Sequence, residues 1–177
     1  MQDNCFIGKT VKRGSCKLCL EEADLCNSHY LGRRMYSLIR KLGDRIIMLS
    51  PSRIMPTDMQ ITDYLVCSTC EQKFSNRGEK YATSLVNRGG SFMPLDLMEK
   101  CGTMRTQGAE SLYRARDLGL DAATLGYYAL SVVWRGTHVW PAFRGTTVGG
   151  LQLGIHGEPI RAFLDGAEVS RRTSSSR

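Results

Sequence analysis

The sequence lacks any apolar run long enough to cross a lipid bilayer. Its most apolar stretch, residues 124–134, is followed directly by Arg135, whereas a membrane-spanning helix needs about 20 apolar residues. The amino-terminal segment is polar and has no apolar core of the kind found in secretory signals. We therefore predict a soluble, cytoplasmic protein that has no membrane partner.

Internal repeats and a phosphate-binding loop are also missing. The glycine-rich segment 145–157 lacks the Gly-Lys-Ser/Thr ending that such a loop requires, and its alternating apolar residues predict a hairpin. Hydrophobic residues make up 42% of the chain and charged residues 23%, which excludes wholesale disorder, collagen and a coiled coil. A chain of 177 residues corresponds to one domain, or to a small module with a helical appendage.

The charge balance favours an acidic partner. The chain has 24 Lys and Arg against 17 Asp and Glu, a net charge of +7 and a pI near 9.2, so nucleic acid ranks above an anionic membrane surface. Apolar residues recur at helical spacing over 31–42, with Gly43 as a plausible stop. The basic residues of this segment fall largely away from the apolar stripe, where they form either a solvated face or a phosphate-contacting face: Arg33, Arg34, Arg40 and Lys41.

Two Cys-x-x-Cys pairs carry the strongest chemical signal. In a cytoplasmic protein the seven cysteines point to metal binding or buried thiols rather than disulfides. Two such pairs supply the four thiolates of a tetrahedral structural Zn²⁺ site. The preferred ligand set is Cys16, Cys19, Cys67 and Cys70.

A second ligand set remains open. Cys16 and Cys19 could instead combine with Cys26 and His29, at feasible spacing, but this leaves Cys67 and Cys70 without a partner. Under the preferred set Cys26 is a small buried residue, and Cys5 and Cys101 are ordinary thiols. No motif supports a redox cysteine pair or a Cys101–His138 nucleophile.

The remaining pattern mixes short strands with helices. Residues 45–49 and 61–66 read as strands, and a helix is expected to begin within the second cysteine pair, weakened midway by Gly78. The segments around Pro51 and Pro56 and at 88–95 read as loops. An almost wholly apolar, buried helix is expected from an Asp121 cap to about Trp134, preceded by a helix near 96–101 or 110–118.

The order of these motifs resembles the zinc-stapled branch of the HNH endonucleases, also called ββα-metal or treble-clef proteins. The resemblance is closest to a bacterial group with Ser-His in the first motif and Cys-Glu in the second, and it covers residues 16–81, under half of the chain. The motifs that carry it are Cys16-x2-Cys19, Ser28-His29 and Leu65-Val66-Cys67-x2-Cys70-Glu71, with Ser131-Val-Val-Trp-Arg135 as a weaker match.

The sequence pattern, together with this resemblance over residues 16–81, predicts an α+β fold in four parts. A lead-in at 1–15 precedes a zinc-stapled treble-clef module at 16–88 that contains an inserted helix. A mainly helical carboxy-terminal part at 89–169 ends in a hairpin, and a disordered tail follows at 170–177.

The resemblance also implies metal-dependent cleavage of phosphodiester bonds in DNA or RNA. His29 would be the general base that activates water. Glu71 stands at a metal-binding position, Asp63 would orient His29 or join the metal, and Glu79 could add a carboxylate. The catalytic ion would be Mg²⁺ or Mn²⁺, because both prefer carboxylate oxygens.

Departures from the family pattern favour a second interpretation. Ser28 replaces the usual metal-binding Asp, Gly32 lies near the place of the usual Pro, and no middle Asn is apparent. His29 could instead be a structural hydrogen-bonding group or a zinc ligand, and Glu71 could stabilise the positive end of its helix. The alternative function is a catalytically inactive module that binds nucleic acid or a partner protein within a larger assembly.

Overall fold

The chain contains short antiparallel strand pairs and separate helices, which confirms the predicted α+β class. The structure is a computed structural model that describes residues 12–41, 46–50, 53–57, 59–86, 92–101, 105–107, 110–142, 145 and 147–166. The predicted tail, most of the predicted lead-in with Cys5, and Gly43 lie outside the described residues, as do the side chains of Arg40 and Lys41.

The elements follow the predicted order with some differences in their bounds. The strands are β1 (Lys12–Ser15), β2 (Glu22–His29), β3 (Ile46–Ser50), β4 (Arg53–Thr57), β5 (Thr62–Cys67), β6 (Arg105–Gln107), β7 (Glu110–Leu112), β8 (Val139–Pro141) and β9 (Thr147–Gly149). The α-helices are α1 (Arg33–Lys41), α2 (Ser68–Phe74), α3 (Lys80–Ser84), α4 (Met93–Lys100), α5 (Ala122–Arg135) and α6 (Gly157–Asp165).

A three-stranded antiparallel sheet in the order β1-β2-β5 frames the amino-terminal half. Strand β2 pairs with β1 along one edge and with β5 along the other, and His29 at its end lies opposite Thr62. The β2–β5 register shifts between Leu25 and Asn27, which marks a local bulge. Because β5 runs directly into α2, this sheet fixes where the first turn of α2 begins.

Helix α2 continues through a wider π-helical turn, Ser75–Glu79, into α3. Gly78, the predicted weak point, lies in this turn and is buried. A Cβ atom at this position would come within 3.0 Å of the Tyr128 Cα atom on α5. The glycine therefore permits close contact between this turn and α5.

Helix α5 begins as predicted and buries one face. The Asp121 carboxylate accepts hydrogen bonds from the backbone amides of Ala123 and Thr124, at 3.0 Å each, which is the expected N-cap arrangement. Trp134 and Arg135 are buried on this helix, whereas Val133 is 38% exposed. The predicted burial of this helix therefore holds for one face only, because the other side of α5 faces solvent.

One hydrophobic core joins the two halves of the chain. Its buried residues come from the β1–β2 turn, the sheet, α2, α5, β8 and α6: Cys16, Leu18, Leu25, Leu65, Val66, Cys67, Cys70, Phe74, Tyr127, Trp134, Trp140 and Leu164. Helix α6 is fastened to α2 by an ion pair in which Lys73 Nζ lies 2.5 Å from Asp165 Oδ1. Arg161 on α6 also donates to the Leu18 carbonyl, within the turn that carries the first cysteine pair.

Two prolines that were predicted to lie in loops lie in regular elements instead. Pro94 lies in the first turn of α4 rather than in a loop, a position that needs no amide donor. Pro56 lies in β4, which pairs with β3 as a two-stranded ribbon. A hairpin forms between β8 and β9, so only its second strand lies within the predicted segment 145–157. A 3-10 turn at Gly154–His156 and then α6 follow, so the hairpin does not end the described chain.

Across the described ranges, no helix combines the length and the apolar character that a membrane crossing would need.

The shared core predicts that a substitution on α6 destabilises the whole protein. Leu164 is 0% exposed, so Leu164→Ala should lower the free energy of unfolding by about 2–5 kcal/mol through the cavity it leaves. The control is Ile155→Ala, at a position 86% exposed, where the expected change is within about 0.5 kcal/mol. Urea unfolding followed by circular dichroism measures both, and a Leu164→Ala effect as small as the control would contradict the shared core.

Candidate metal centre and adjoining cleft

Four cysteines converge at the junction of the sheet and α2. One sulfur from each of Cys16, Cys19, Cys67 and Cys70 lies within 4.8 Å of every other. Cys16 and Cys19 belong to the turn between β1 and β2, while Cys67 ends β5 and Cys70 lies in the first turn of α2. The cluster therefore joins two segments that are far apart in sequence.

The backbone of the first turn presents its sulfurs to the second pair. The Cys16 amide donates to the Glu21 carbonyl at 2.9 Å, and the Leu20 amide donates to the Cys16 carbonyl at 2.8 Å. Leu20 adopts a φ of 68°, a left-handed conformation that tightens the turn. The Cys67 amide donates to Cys16 Sγ at 3.3 Å, so a backbone donor from one segment already contacts a sulfur of the other.

The protonation of these thiols fits a metal-binding set. A hydrogen bond from the Cys70 thiol lowers the pKa of Cys16 to about 4, and backbone donors act in the same direction. The same contact raises the pKa of Cys70, and burial raises that of Cys19. These directions favour a Cys16 thiolate that accepts a hydrogen bond from the protonated Cys70 thiol, and a metal ion would displace such protons on binding. The four cysteines could hold a zinc ion, since close thiolates are its preferred structural ligands.

The alternative ligand set is not brought together. In the part of the chain that the structure describes, the four-cysteine group is the only set of three or more metal-ligating side chains that meets this distance limit. Cys26 is buried in β2 and His29 contacts Gln60, and neither belongs to the group. Cys101 is a partly exposed free thiol whose sulfur contacts the Asp117 carbonyl at 3.7 Å.

A polar cleft of about 350 Å³ is lined in part by Ser68 and Glu71, the residues that directly follow Cys67 and Cys70 of the cluster. His29 at the end of β2 and Glu71 in the first turn of α2 both line it. Glu71 directly follows Cys70, whereas His29 lies at the other end of β2 from the turn that carries Cys16 and Cys19. The complete lining is Cys26, Asn27, His29, Gly32, Arg33, Ser68, Glu71, Gln72, Ser75, Asn76 and Glu79.

The His29 ring is oriented by a residue that the sequence analysis missed. Its Nε2 atom lies 2.8 Å from Gln60 Oε1. Because an amide oxygen can only accept, Nε2 carries the hydrogen and Nδ1 is the basic nitrogen of the neutral ring. The strand register places His29 opposite Thr62, two residues after Gln60. A sequence analysis that predicted this pairing could have identified Gln60 as a neighbour of His29.

Glu71 is a buried carboxylate at the cleft wall. Its Oε1 atom is shielded from solvent and has no hydrogen-bond partner among the residues described here. Burial raises the pKa of Glu71, while the positive charge of Arg135 and a hydrogen bond from Ser28 oppose that rise. Ser28 is therefore a neighbour of Glu71.

Asp63 lies apart from this group. The strand register places it opposite Ser28 rather than His29. Its Oδ1 atom accepts a hydrogen bond from the Tyr64 amide at 2.7 Å, and Asp63 does not line the cleft.

Glu79 lines the cleft and forms an ion pair with a buried arginine. Its Oε1 atom lies 2.7 Å from Nη2 of Arg135, whose side chain is only 1% exposed. The Glu79 carboxylate also lies against Gly32, where a Cβ atom would approach its Cδ atom to 2.8 Å. Glycine at position 32 therefore makes room for this carboxylate just before α1.

A second cavity of about 680 Å³, lined by residues of α1 and α3, adjoins the cleft. It shares Arg33, Ser75 and Glu79 with the cleft. Arg34 lines it as well, together with Lys80, a basic residue that the sequence analysis did not single out. We call this cavity the basic groove; its complete lining is Arg33, Arg34, Ser37, Ser75, Glu79, Lys80 and Thr83.

Comparisons with known proteins identified no relative. The chain matches no family model, and neither the curated proteins nor the solved structures gave a match. The described residues show a cysteine cluster able to hold zinc, a polar cleft containing His29 and Glu71, and a basic groove next to it.

The geometry predicts which cysteines retain metal. Cys70→Ala should abolish stoichiometric zinc binding, because it removes one thiolate of four. Cys26→Ala is the matched control, since Cys26 is also a buried thiol but lies outside the cluster, and it should retain the zinc of the wild type. Native mass spectrometry with elemental analysis measures both, and zinc loss in Cys26→Ala with retention in Cys70→Ala would support the other ligand set.

Proposed function

We propose that the protein is a zinc-stapled, HNH-like enzyme that cleaves phosphodiester bonds in nucleic acid with a divalent metal ion. Zn²⁺ bound to the four cysteines would have a structural role. The observation that carries the proposal is the meeting of His29 and Glu71 in one polar cleft, beside the cysteine cluster and next to Arg33.

His29 has the role of general base in this proposal. With Nε2 donating to Gln60, the basic Nδ1 nitrogen takes a proton from a water molecule. The resulting hydroxide forms a bond to phosphorus, the bond from phosphorus to the leaving oxygen breaks, and that oxygen takes a proton from water. Gln60 contributes by holding one tautomer and one orientation of the ring.

Glu71 is the residue best suited to hold Mg²⁺ or Mn²⁺. Its buried Oε1 atom lacks a partner in the described part of the chain, and a carboxylate oxygen is the ligand that both ions prefer. The bound ion would supply positive charge to neutralise the phosphate. Glu79 is less suited because Arg135 already occupies its Oε1 atom.

The basic groove provides a surface for the phosphate backbone. Arg33 and Arg34 are exposed at the start of α1, and Lys80 faces them from the start of α3. Three cations in a cavity continuous with the cleft would position a polyanionic strand across the reactive groups. DNA and RNA both present this backbone.

The cleavage proposal predicts a graded series of variants. His29→Ala should lower the cleavage rate about 10²–10⁴-fold, the usual effect of losing a general base. Gln60→Ala should lower it less, because the ring keeps its basic nitrogen but loses its orientation. Asp63→Asn is the control and should cleave like the wild type, since Asp63 lies outside the cleft. Plasmid nicking and cleavage of structured RNA with Mg²⁺ or Mn²⁺ measure the series, and equal rates for His29→Ala and the wild type would remove His29 from the mechanism.

The binding surface is tested separately by charge reversal. Arg33→Glu combined with Arg34→Glu should weaken nucleic-acid binding and flatten its dependence on salt, because fewer counterions are released. Lys100→Glu is a control at an exposed position on α4, away from the basic groove. Fluorescence anisotropy over a salt series compares them, and unchanged salt dependence in the double variant would place the nucleic acid elsewhere.

A second candidate function is binding without catalysis. It is favoured by the small number of carboxylates that could hold a catalytic ion. Glu79 is paired with Arg135, and Asp63 lies outside the cleft. Among the described residues, Glu71 is then the cleft carboxylate with an unpartnered oxygen. In this case the module would bind nucleic acid or a partner protein within a larger assembly. Salt-dependent binding with no cleavage under any divalent ion would favour it.

A further inference from the structure

Helix α6 contacts the turn that carries the first cysteine pair. Arg161 on this helix donates from Nη1 to the Leu18 carbonyl. Leu18 lies between the two cysteines of that turn and is 0% exposed. A side chain from the carboxy-terminal part therefore holds the backbone in the middle of the first Cys-x-x-Cys loop.

The same face of α6 contacts the helix that carries the second pair. Asp165 lies four positions after Arg161, which places the two residues on one face of α6. Lys73 Nζ on α2 lies 2.5 Å from Asp165 Oδ1 and also donates to the Asp165 carbonyl at 3.1 Å. Lys73 follows Cys70 by three residues, about one turn of α2. Helix α6 thus joins the two cysteine-bearing segments through contacts that involve no sulfur atom.

Arg161 is oriented for this contact by a residue of its own helix. Its Nε and Nη2 atoms donate to the two carboxylate oxygens of Glu158, at 2.9 Å and 2.6 Å. Two parallel bonds of this kind fix the plane of the guanidinium, and Nη1 is then directed to Leu18. The Arg161 side chain is 18% exposed and that of Glu158 is 70% exposed, so Glu158 contacts the guanidinium from the solvent side.

The carbonyl that Arg161 contacts belongs to the peptide group between Leu18 and Cys19. In a planar trans peptide group the carbonyl oxygen and the amide hydrogen point in opposite directions. The contact with Arg161 therefore fixes the orientation of the Cys19 amide as well. Because this peptide group connects the two halves of the Cys-x-x-Cys loop, its orientation sets how the Cys16 and Cys19 side chains lie relative to each other.

We propose that Arg161 is a positioning residue of the four-cysteine site: it holds the loop between Cys16 and Cys19 in the geometry that binds a metal ion, and so slows release of the ion. Groups that orient the ligands of a metal site control its affinity as well as its geometry. This inference rests on the structural zinc site of the proposed function, and it does not depend on cleavage.

The guanidinium is suited to this role because one side chain serves two acceptors. Arg161→Lys keeps the charge and can donate to a single acceptor, but it loses the planar fork that pairs with Glu158. Arg161→Met removes all the donors and keeps much of the apolar stem. Glu158→Gln changes only the exposed carboxylate that orients Arg161, so this variant leaves the core of the protein unchanged.

Transfer of zinc from the purified, zinc-loaded full chain to a chromogenic chelator tests the proposal. Arg161→Met should lower zinc affinity about 10–100-fold, measured together with faster release. Arg161→Lys should fall between Arg161→Met and the wild type, and Glu158→Gln should accelerate release by less than Arg161→Met. Arg116→Met is the matched control and should release zinc at the wild-type rate, because Arg116 is 74% exposed and pairs with the neighbouring Asp117.

A second readout separates positioning from a general loss of stability. Tyr127→Phe removes the hydrogen bond from the Tyr127 hydroxyl to the Leu164 carbonyl on α6, so it weakens the attachment of α6 without touching Leu18. In the ¹⁵N-labelled, zinc-loaded protein, the Cys19 amide signal should shift in Arg161→Met and stay in place in Tyr127→Phe.

The outcomes distinguish this inference from the proposed function. Zinc release from Arg161→Met that is no faster than from Tyr127→Phe would overturn the proposal, and so would an unshifted Cys19 signal. If Arg161→Met does not fold, Glu158→Gln decides the question, because release at the wild-type rate would then overturn the proposal. If the wild type binds zinc but cleaves no nucleic acid, the cleavage proposal fails, while accelerated release from the Arg161 variants still supports the inference. A wild type that binds no zinc would overturn both the zinc site and this inference.

Discussion

The convergence of four cysteine sulfurs is the constraint on which the rest of the structure depends. The turn between β1 and β2 and the first turn of α2 are distant in sequence, and the cluster holds them side by side. A zinc ion there would neutralise thiolates that otherwise share protons in a partly buried site. Hydrogen bonds alone would hold this junction more weakly, because a sulfur is a poor acceptor.

The cleft is a consequence of that junction. Strand β2 delivers His29 and α2 delivers Glu71, so the elements that meet at the cysteines also set the distance between these side chains. The carboxy-terminal part contacts the same region through two arginines. Arg135 on α5 donates to Glu79, and Arg161 on α6 donates to the Leu18 carbonyl. The two halves of the chain therefore share a core, and the candidate site draws on both of them.

The sequence was most informative where a local pattern determines local structure. The cap at Asp121 predicted the start of α5, because a cap depends on neighbours in the chain. The two Cys-x-x-Cys spacings predicted the four-sulfur cluster, because each pair can present two sulfurs to one ion even though the pairs are far apart in sequence. Gln60, Lys80 and Arg135 escaped prediction, since their importance arises from tertiary contacts. Asp63 was selected for its nearness to Cys67 in sequence, whereas the strand register places it opposite Ser28. The one-sided burial of α5 depends on which neighbours cover it, and composition does not contain that information.

The most direct measurement of the central claim is X-ray absorption at the zinc edge of the purified protein. The account predicts a first coordination shell of four sulfur atoms at about 2.3 Å. A shell that contains nitrogen or oxygen at about 2.0–2.2 Å would show that His29 or another residue replaces a cysteine. That result, or a folded protein that carries no metal, would contradict the account.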